Sequence, residues 1–269
     1  MVDGTTGLGE IVSRSSFDLQ AALAVPFPTL WRGLSTRQLR PEVMDQPGLE
    51  AQAHHDALRG LATINAFTRS AACFFPAIRR LVRECPGRPL RILDVACGGG
   101  DTVRALCRLG RREGLDLEVQ GCDLSADALA LATAAARAEG LEARFFQADA
   151  IGAPLPDGYQ LITTSLFLHH LSEADAETLL RRMAAQAERQ ILVHDLIRSR
   201  LDLALTWLGT RLLSRSPIVH IDGPLSVGGA FRLEEVEALA AAAGLEGARL
   251  SQFWPERFLL SWSRDAAHG

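Results

Sequence analysis

The sequence predicts an α/β protein, a mostly parallel sheet with helices on both faces that closes on a C-terminal antiparallel hairpin. Three observations predict it. From Leu90 onward, short β-rich runs alternate with helical patterns. The first run leads into a glycine cluster, Gly98-Gly99-Gly100, suited to a tight strand-to-helix turn. Past the last helical pattern, two short β-rich runs are joined only by Trp254-Pro255-Glu256.

Residues 1–50 carry Gly, Ser and Pro punctuation with isolated apolar clusters such as Phe27 to Trp31, and read as an irregular N-terminal segment. Residues 51–88 read as a helical lid. From His54 to Glu84, Leu58, Leu61, Ile64, Phe74, Ile78 and Leu81 recur at three- and four-residue steps, and Cys85-Pro86-Gly87 stops the pattern. Residues 89–265 form the sheet domain. LRILDV (90–95) is the first strand, followed by a helix whose Val103, Leu106 and Cys107 share a face. LEVQGCD (117–123) is the second, and Ser125 can cap the helix after it. ARFFQAD (143–149) and YQLITTSL (159–166) are the third and fourth. Ser172 with Asp175 has a capping-box pattern before a helix carrying Leu179, Leu180 and Met183. RQILVHD (189–195) is the fifth strand. An insertion at 196–230 follows, and its LDLALTWLGTRLL stretch is apolar almost all round, which means burial, a pocket wall or a partner surface, core packing being the first expectation. The Leu233 to Ala243 helix, ended by Gly244, precedes ARLSQF and RFLLSW, the two strands of the hairpin.

Composition closes several functional classes. The 269 residues include 28 basic side chains, every one an arginine. Without lysine there is no Schiff-base enzyme, no pyridoxal-phosphate anchor and no Walker-type phosphate loop. A formal net charge of −4 argues against a dedicated nucleic-acid binder. The five cysteines, Cys73, Cys85, Cys97, Cys107 and Cys122, have no zinc-cluster spacing and suit a reducing compartment. No secretory signal and no apolar run of about 18 residues is visible, so a cytoplasmic protein without a membrane span is expected.

In open α/β sheets, ligands bind beyond the carboxyl ends of the strands, where strand order reverses. Asp94 ends the first strand, before Ala96, Gly98, Gly100 and Thr102, whose backbone can approach a ligand closely. Asp123 closes the second strand, where a carboxylate can accept both hydroxyls of a ribose. Asp149 closes the third, in position to accept from an adenine amino group, and His169-His170 follow the fourth.

ILDVACGGGDT, GCDLS, QADA and SLFLHHLSE together resemble the Rossmann-like class I S-adenosylmethionine-dependent methyltransferases, of the small-molecule type found in ubiquinone/menaquinone biosynthesis and polyketide O-methylation. The resemblance covers roughly residues 55–265 and implies a seven-stranded sheet. The family's acidic-x-Gly-x-Gly-x-Gly loop is matched by Asp94, Gly98 and Gly100, with Ala96 in place of the first glycine. A nicotinamide dehydrogenase would need G-x-G-x-x-G, which fails at Val103 when started from Gly98 and at Asp101 when started from Ala96. Carboxylates also suit a ligand with a sulfonium and an ammonium better than an anionic pyrophosphate.

The resemblance implies S-adenosyl-L-methionine as cofactor. Its ammonium would lie at Asp94 and Ala96, its ribose at Asp123, and its adenine at Asp149 and Ala150, with Leu124 and Ser165 on the walls. Asp94 could equally orient the glycine loop. A histidine after the fourth strand serves as base in several small-molecule O-methyltransferases, a role carried to His169 with His170 as second choice. Side chains alternate along a strand, so one of the two is expected to face the methyl. His194-Asp195 border the acceptor side in the family pattern but read as a structural pair. His54, His55 and His220 have weaker claims, and no metal site is expected from these scattered residues. Phe167, Trp207, Phe231 and Trp254 are candidates for an acceptor pocket. Arg198, Arg200, Arg211 and Arg215 would partner an acidic acceptor. The expected reaction is O-methylation of a small hydrophobic, aromatic or polyketide-like acceptor. C-methylation of a quinone precursor and a non-catalytic S-adenosylmethionine-binding protein are the alternatives, and a homo-oligomer is compatible with all three.

Overall fold

The computed structural model describes residues 31, 33–46 and 48–264, so most of the irregular segment assigned to 1–50 lies outside the described residues. Seven strands form one sheet: β1 (Leu90–Val95), β2 (Leu117–Asp123), β3 (Ala143–Gln147), β4 (Tyr159–Ser165), β5 (Ala187–Leu196), β6 (Arg249–Phe253) and β7 (Arg257–Ser263). Their order is β3-β2-β1-β4-β5-β7-β6. The first five pair in parallel, and β7 runs antiparallel to both β5 and β6, as the hairpin requires.

Eight α-helices are described: α1 (Ala51–Phe67), α2 (Phe75–Glu84), α3 (Asp101–Glu113), α4 (Ala126–Ala138), α5 (Glu173–Gln186), α6 (Arg200–Leu213), α7 (Pro217–Gly229) and α8 (Leu233–Ala242). The central strands β1, β4 and β5 bury apolar side chains on both faces because helices cover both. Ile92, Leu161 and Leu192 pack on one side with Ile78, Val103 and Leu106. Their chain neighbours Leu93, Ile162 and Ile191 pack on the other with Leu180, Met183 and Val236. Each such buried aliphatic side chain contributes about 1.5–3 kcal/mol.

The predicted caps are present. The Ser125 hydroxyl accepts from Ala128 N at 3.2 Å, and that of Ser172 from Asp175 N at 3.1 Å. One prediction needs correction. The helical pattern from His54 to Glu84 is broken into α1, a 3-10 turn over Ser70–Phe74, and α2. Thr68 turns its hydroxyl back onto Ile64 O at 2.9 Å, Arg69 adopts φ 54, and Pro76 can only open a new helix.

The N-terminal segment is strapped across the insertion. Arg37 donates to the carbonyls of Gly229 (2.6 Å), Leu171 (2.6 Å) and His169 (3.1 Å). The Asp222 carboxylate in α7 accepts from Val43 N at 2.8 Å and Met44 N at 3.0 Å, which fixes the short 3-10 turn Val43–Asp45.

Candidate functional site

Strand order reverses between β1 and β4, and a cavity of about 1450 Å³ opens beyond their carboxyl ends. A single small ligand usually occupies roughly 300–1,000 Å³, so two can fit. Its walls come from the glycine loop, the ends of β2 and β4, the 168–171 turn, α1, α6 and the Glu42–Met44 segment.

The glycine loop is held by local chemistry. Gly98 N donates to Asp123 Oδ2 at 2.8 Å and Ser125 N to Asp123 Oδ1 at 2.9 Å, so one carboxylate ties the loop after β1 to the end of β2. Ala96 has φ 54, Gly98 φ 50 and Gly100 φ 71. A side chain at Gly100 would also press its Cβ to 2.8 Å from Ala132 and from the Phe145 ring. Asn65 Nδ2 donates to Asp101 Oδ2 at 2.9 Å and fastens α1 onto the start of α3.

Of the residues predicted to bind cofactor, Ala96, Gly98, Asp123, Leu124, Asp149, Ala150 and Ser165 line the cavity. Asp94, Gly100 and Thr102 stand behind the loop instead, because the turn buries them against the sheet and α4. Asp94 is 1% exposed and accepts the Thr163 hydroxyl at 2.7 Å. Burial pushes its carboxyl up to about 8, aided by the charges of Asp101 and Asp123 and opposed by the Thr163 bond. Asp149 is held below the usual carboxylate range by the amides of Gly152 and Ile151, which its Oδ1 accepts at 2.7 and 2.9 Å.

Opposite the glycine loop, His169 is buried and anchored by Asp195. The carboxylate accepts His169 N at 3.0 Å and lies 2.6 Å from Nδ1. Burial drives the Asp195 carboxyl upward, but the His169 charge and hydrogen bond, with the Leu196 and His169 amides, bring it below its ordinary value. Ionised, it only accepts, so Nδ1 carries the proton and Nε2 is left toward the cavity side. Nε2 is 3.8 Å from Glu42 Oε1.

Both histidines line the cavity, and the strand alternation invoked to set them on opposite sides is absent. They sit in a 3-10 turn, Leu168–His170, where strand alternation does not apply, and their rings are 4.2 Å apart. His194 takes no place in the cavity lining: its Nδ1 lies 3.1 Å from Ser165 Oγ, and burial, then Arg257, pushes its imidazole down to about 4. His220 bonds Ser214 O at 2.8 Å, while His54 and His55 stand on the wall at the start of α1.

Two residues escaped the sequence reading. Asp195 looked structural and is the partner of His169; Glu42 lies in a stretch without periodicity or motif and gave no signal at all. The acceptor side differs in detail too. In α6, Leu203 is fully buried, but Leu208 and Leu212 line the cavity at 49% and 73% exposure, so core packing accounts for only one face. Phe167 and Trp254 line the cavity, but Phe231 is buried under the Arg37 guanidinium at 3.7 Å, and Trp207 sits outside with Arg211 over its ring at 4.3 Å. Arg198 is committed to Glu235 at 2.6 Å, and none of Arg198, Arg200, Arg211 and Arg215 is on the wall.

The donor set fits a cationic nucleoside. Asp101, Asp123, Asp127 and Asp149 all line the cavity, and the arginines on its wall are ion-paired, Arg59 with Asp56 at 2.6 Å, Arg104 with Glu139 and Arg257 with Asp202 at 2.8 Å. A pyrophosphate would meet four carboxylates; a sulfonium and an ammonium would be drawn to them.

Residues 92–189 match the protein family described as Methyltransferase domain. A demethylmenaquinone methyltransferase from Thermus thermophilus is 44% identical over 26% of this chain and 30% of its own length. The chain spans about a third of the length of the curated relatives it matches. Among solved structures, the S-adenosylmethionine-dependent methyltransferase SibL superposes with a TM-score of 0.60 at 19% identity, over 93% of this chain and 71% of that one. Magnesium protoporphyrin IX methyltransferase from Synechocystis, with bound SAH, gives 0.50 at 16% identity over 87% and 93%. Identities this low speak for the fold alone, which is the class I methyltransferase fold predicted from the strand-end motifs.

Proposed function

We propose that the methyltransferase domain carried by residues 92–189 makes this chain an S-adenosylmethionine-dependent methyltransferase acting on a small hydrophobic acceptor. One observation carries the reading. A single cavity has a carboxylate-lined end at the glycine loop and a buried imidazole–carboxylate pair, His169–Asp195, on its other wall. The cofactor, when bound, supplies a methyl group already activated on a sulfonium.

The chain's own residues then have distinct tasks. The backbone of Ala96 and Gly98 receives the methionine end, with Asp94 acting from behind as a buried support together with Gly100 and Thr102. Asp123 takes the ribose, while Asp149, Ala150 and Leu124 enclose the adenine. Ser165 closes the floor. The acceptor's hydroxyl is activated at His169, whose Nδ1 Asp195 keeps protonated, and His170 flanks it. Apolar side chains of α6, with α1 as a lid over the glycine loop, exclude water and hold an aromatic or polyketide-like ring. Residues 51–88 thus serve as the lid, and 196–230 as the acceptor insertion of the 89–265 domain. A cytoplasmic setting fits the all-thiol cysteines. Among the described residues no helix is long and apolar enough to cross a membrane. We read the partner as a small molecule and not a nucleic acid.

C-methylation of a quinone precursor is the second reading, favoured by the similarity to the demethylmenaquinone enzyme. Titrating S-adenosylmethionine calorimetrically tests the first step: micromolar binding is expected, and preference for NAD would sink the reading. Asp123→Ala should weaken that binding at least tenfold. His169→Ala should spare it and lower turnover by about 10²–10⁴-fold, the usual contribution of a positioned proton-transfer group. Locating the methyl by NMR on a phenol panel separates oxygen from carbon transfer.

A further inference from the structure

The Glu42 carboxylate is buried, with 6% of its side chain exposed, and among the described residues no arginine lies within ion-pair distance of it. Around it are the Ser226 hydroxyl, which donates to Oε1, His169 Nε2 at 3.8 Å and His170 Nδ1 at 3.9 Å. Those two distances are too long for hydrogen bonds. One oxygen and two imidazole nitrogens therefore lie within 4.8 Å of one another, with neither imidazole nitrogen hydrogen-bonded to the carboxylate oxygen.

We propose that Glu42, His169 and His170 form a divalent transition-metal site that receives the acceptor's oxygen. Two histidines and one carboxylate with open positions are a known donor set for such ions. Bonds of about 2.0–2.2 Å to a tetrahedral ion place ligands roughly 3.4 Å apart, so side-chain rotations of about half an ångström or more close the site. The surroundings are those of a metal centre. Asp195 holds the far nitrogen of His169 at 2.6 Å, the carboxylate–histidine arrangement that fixes a ligand's tautomer. Three distant segments are locked together to build it. Asp222 pins the amides beside Glu42, and Arg37 clamps the His169 and Leu171 carbonyls.

This site deepens the function proposed above and rests on it for the chemistry, though its metal binding stands alone. With Nε2 given to the ion, His169 would act as a ligand in place of a proton acceptor, and the ion would lower the acceptor hydroxyl's hold on its proton, which leaves to solvent. The oxygen then forms its bond to the methyl carbon as the donor's sulfur–carbon bond breaks. Three protein ligands leave one position on a tetrahedral ion and two when it expands to five ligands, so a phenol with an adjacent oxygen, a catechol or hydroxyquinone, is the class best held by the expanded ion.

The test is metal binding by tag-free, chelator-stripped full-length protein, read by calorimetry with Zn²⁺ and by the visible spectrum with Co²⁺. One ion per chain with nitrogen/oxygen ligation and no thiolate band is expected. Glu42→Gln and His170→Ala should each weaken it at least tenfold, and Asp195→Asn by about 10–100-fold. Absence of stoichiometric binding, a thiolate spectrum, or variants that bind as the wild type does would overturn the site. S-adenosylmethionine titrations on the same stripped protein separate the two proposals: cofactor binding without metal removes only the site, and metal binding without cofactor removes only the transferase reading.

Discussion

Asp94 shows what a buried acid costs. Its carboxyl has one hydroxyl donor, Thr163, and burial raises it to about 8, above the ordinary 3.8 of the unfolded chain. Between those values the folded state holds a proton that the unfolded state releases, so stability from this residue is full below about 3.8 and is lost as pH rises toward 8. Asparagine keeps the acceptor for Thr163 and removes the titration. Asp94→Asn should therefore raise the melting temperature more at pH 8 than at pH 5, the difference being equivalent to about 2–4 kcal/mol. Equal shifts at both pH values would show that Asp94 does not titrate in this range. At the same scale, Asp123 and His169 were legible because one closes β2 and the other follows β4, both at the end where α/β sheets bind ligands. Asp94, which shares that position, is turned under the loop by the local backbone. Only the φ values of Ala96 to Gly100 reveal this, and residue type does not encode them.

Among the elements, sheet strands were readable because helices on both faces force continuous apolar runs, and caps were readable because Ser125 and Ser172 offer oxygens at the right step. The break between α1 and α2 was hidden, since apolar spacing continues straight through Thr68 and Arg69. The insertion was half legible, for its apolar run reads as core or pocket wall, and only the fold shows that Leu203 serves the first and Leu208 and Leu212 the second. Beside Arg37 and Ser226, the insertion is held to the N-terminal strap by Asp222, whose carboxylate receives two backbone amides from Val43 and Met44. Hydrogen bonds to a charged acceptor contribute about 1.5–3 kcal/mol each when made. Asp222→Ala should speed hydrogen exchange over residues 42–46 by at least tenfold while leaving exchange in β1, β4 and β5 unchanged. Exchange that accelerates equally across the sheet would mean the strap is part of the global fold, and no change would mean the amides find other partners.

At the scale of the whole molecule, the sheet sets one cavity of about 1450 Å³ against the carboxyl ends of its strands, larger than one small ligand needs. Its two ends are built from different parts of the chain: the glycine loop and β2 at one, the 168–171 turn, Glu42 and α6 at the other. Cofactor product and acceptor should thus occupy it together. With S-adenosylhomocysteine saturating, a hydrophobic catechol should bind with an affinity within about threefold of that in its absence. Mutual exclusion would instead raise the apparent dissociation constant in proportion to the homocysteine derivative, more than tenfold at 10 times its own dissociation constant. Competition of that size would place the acceptor on the carboxylate-lined end and remove the division of labour on which methyl transfer depends. Simultaneous binding that is lost on replacing Leu208 and Leu212 by serine, with cofactor affinity intact, locates the acceptor against α6.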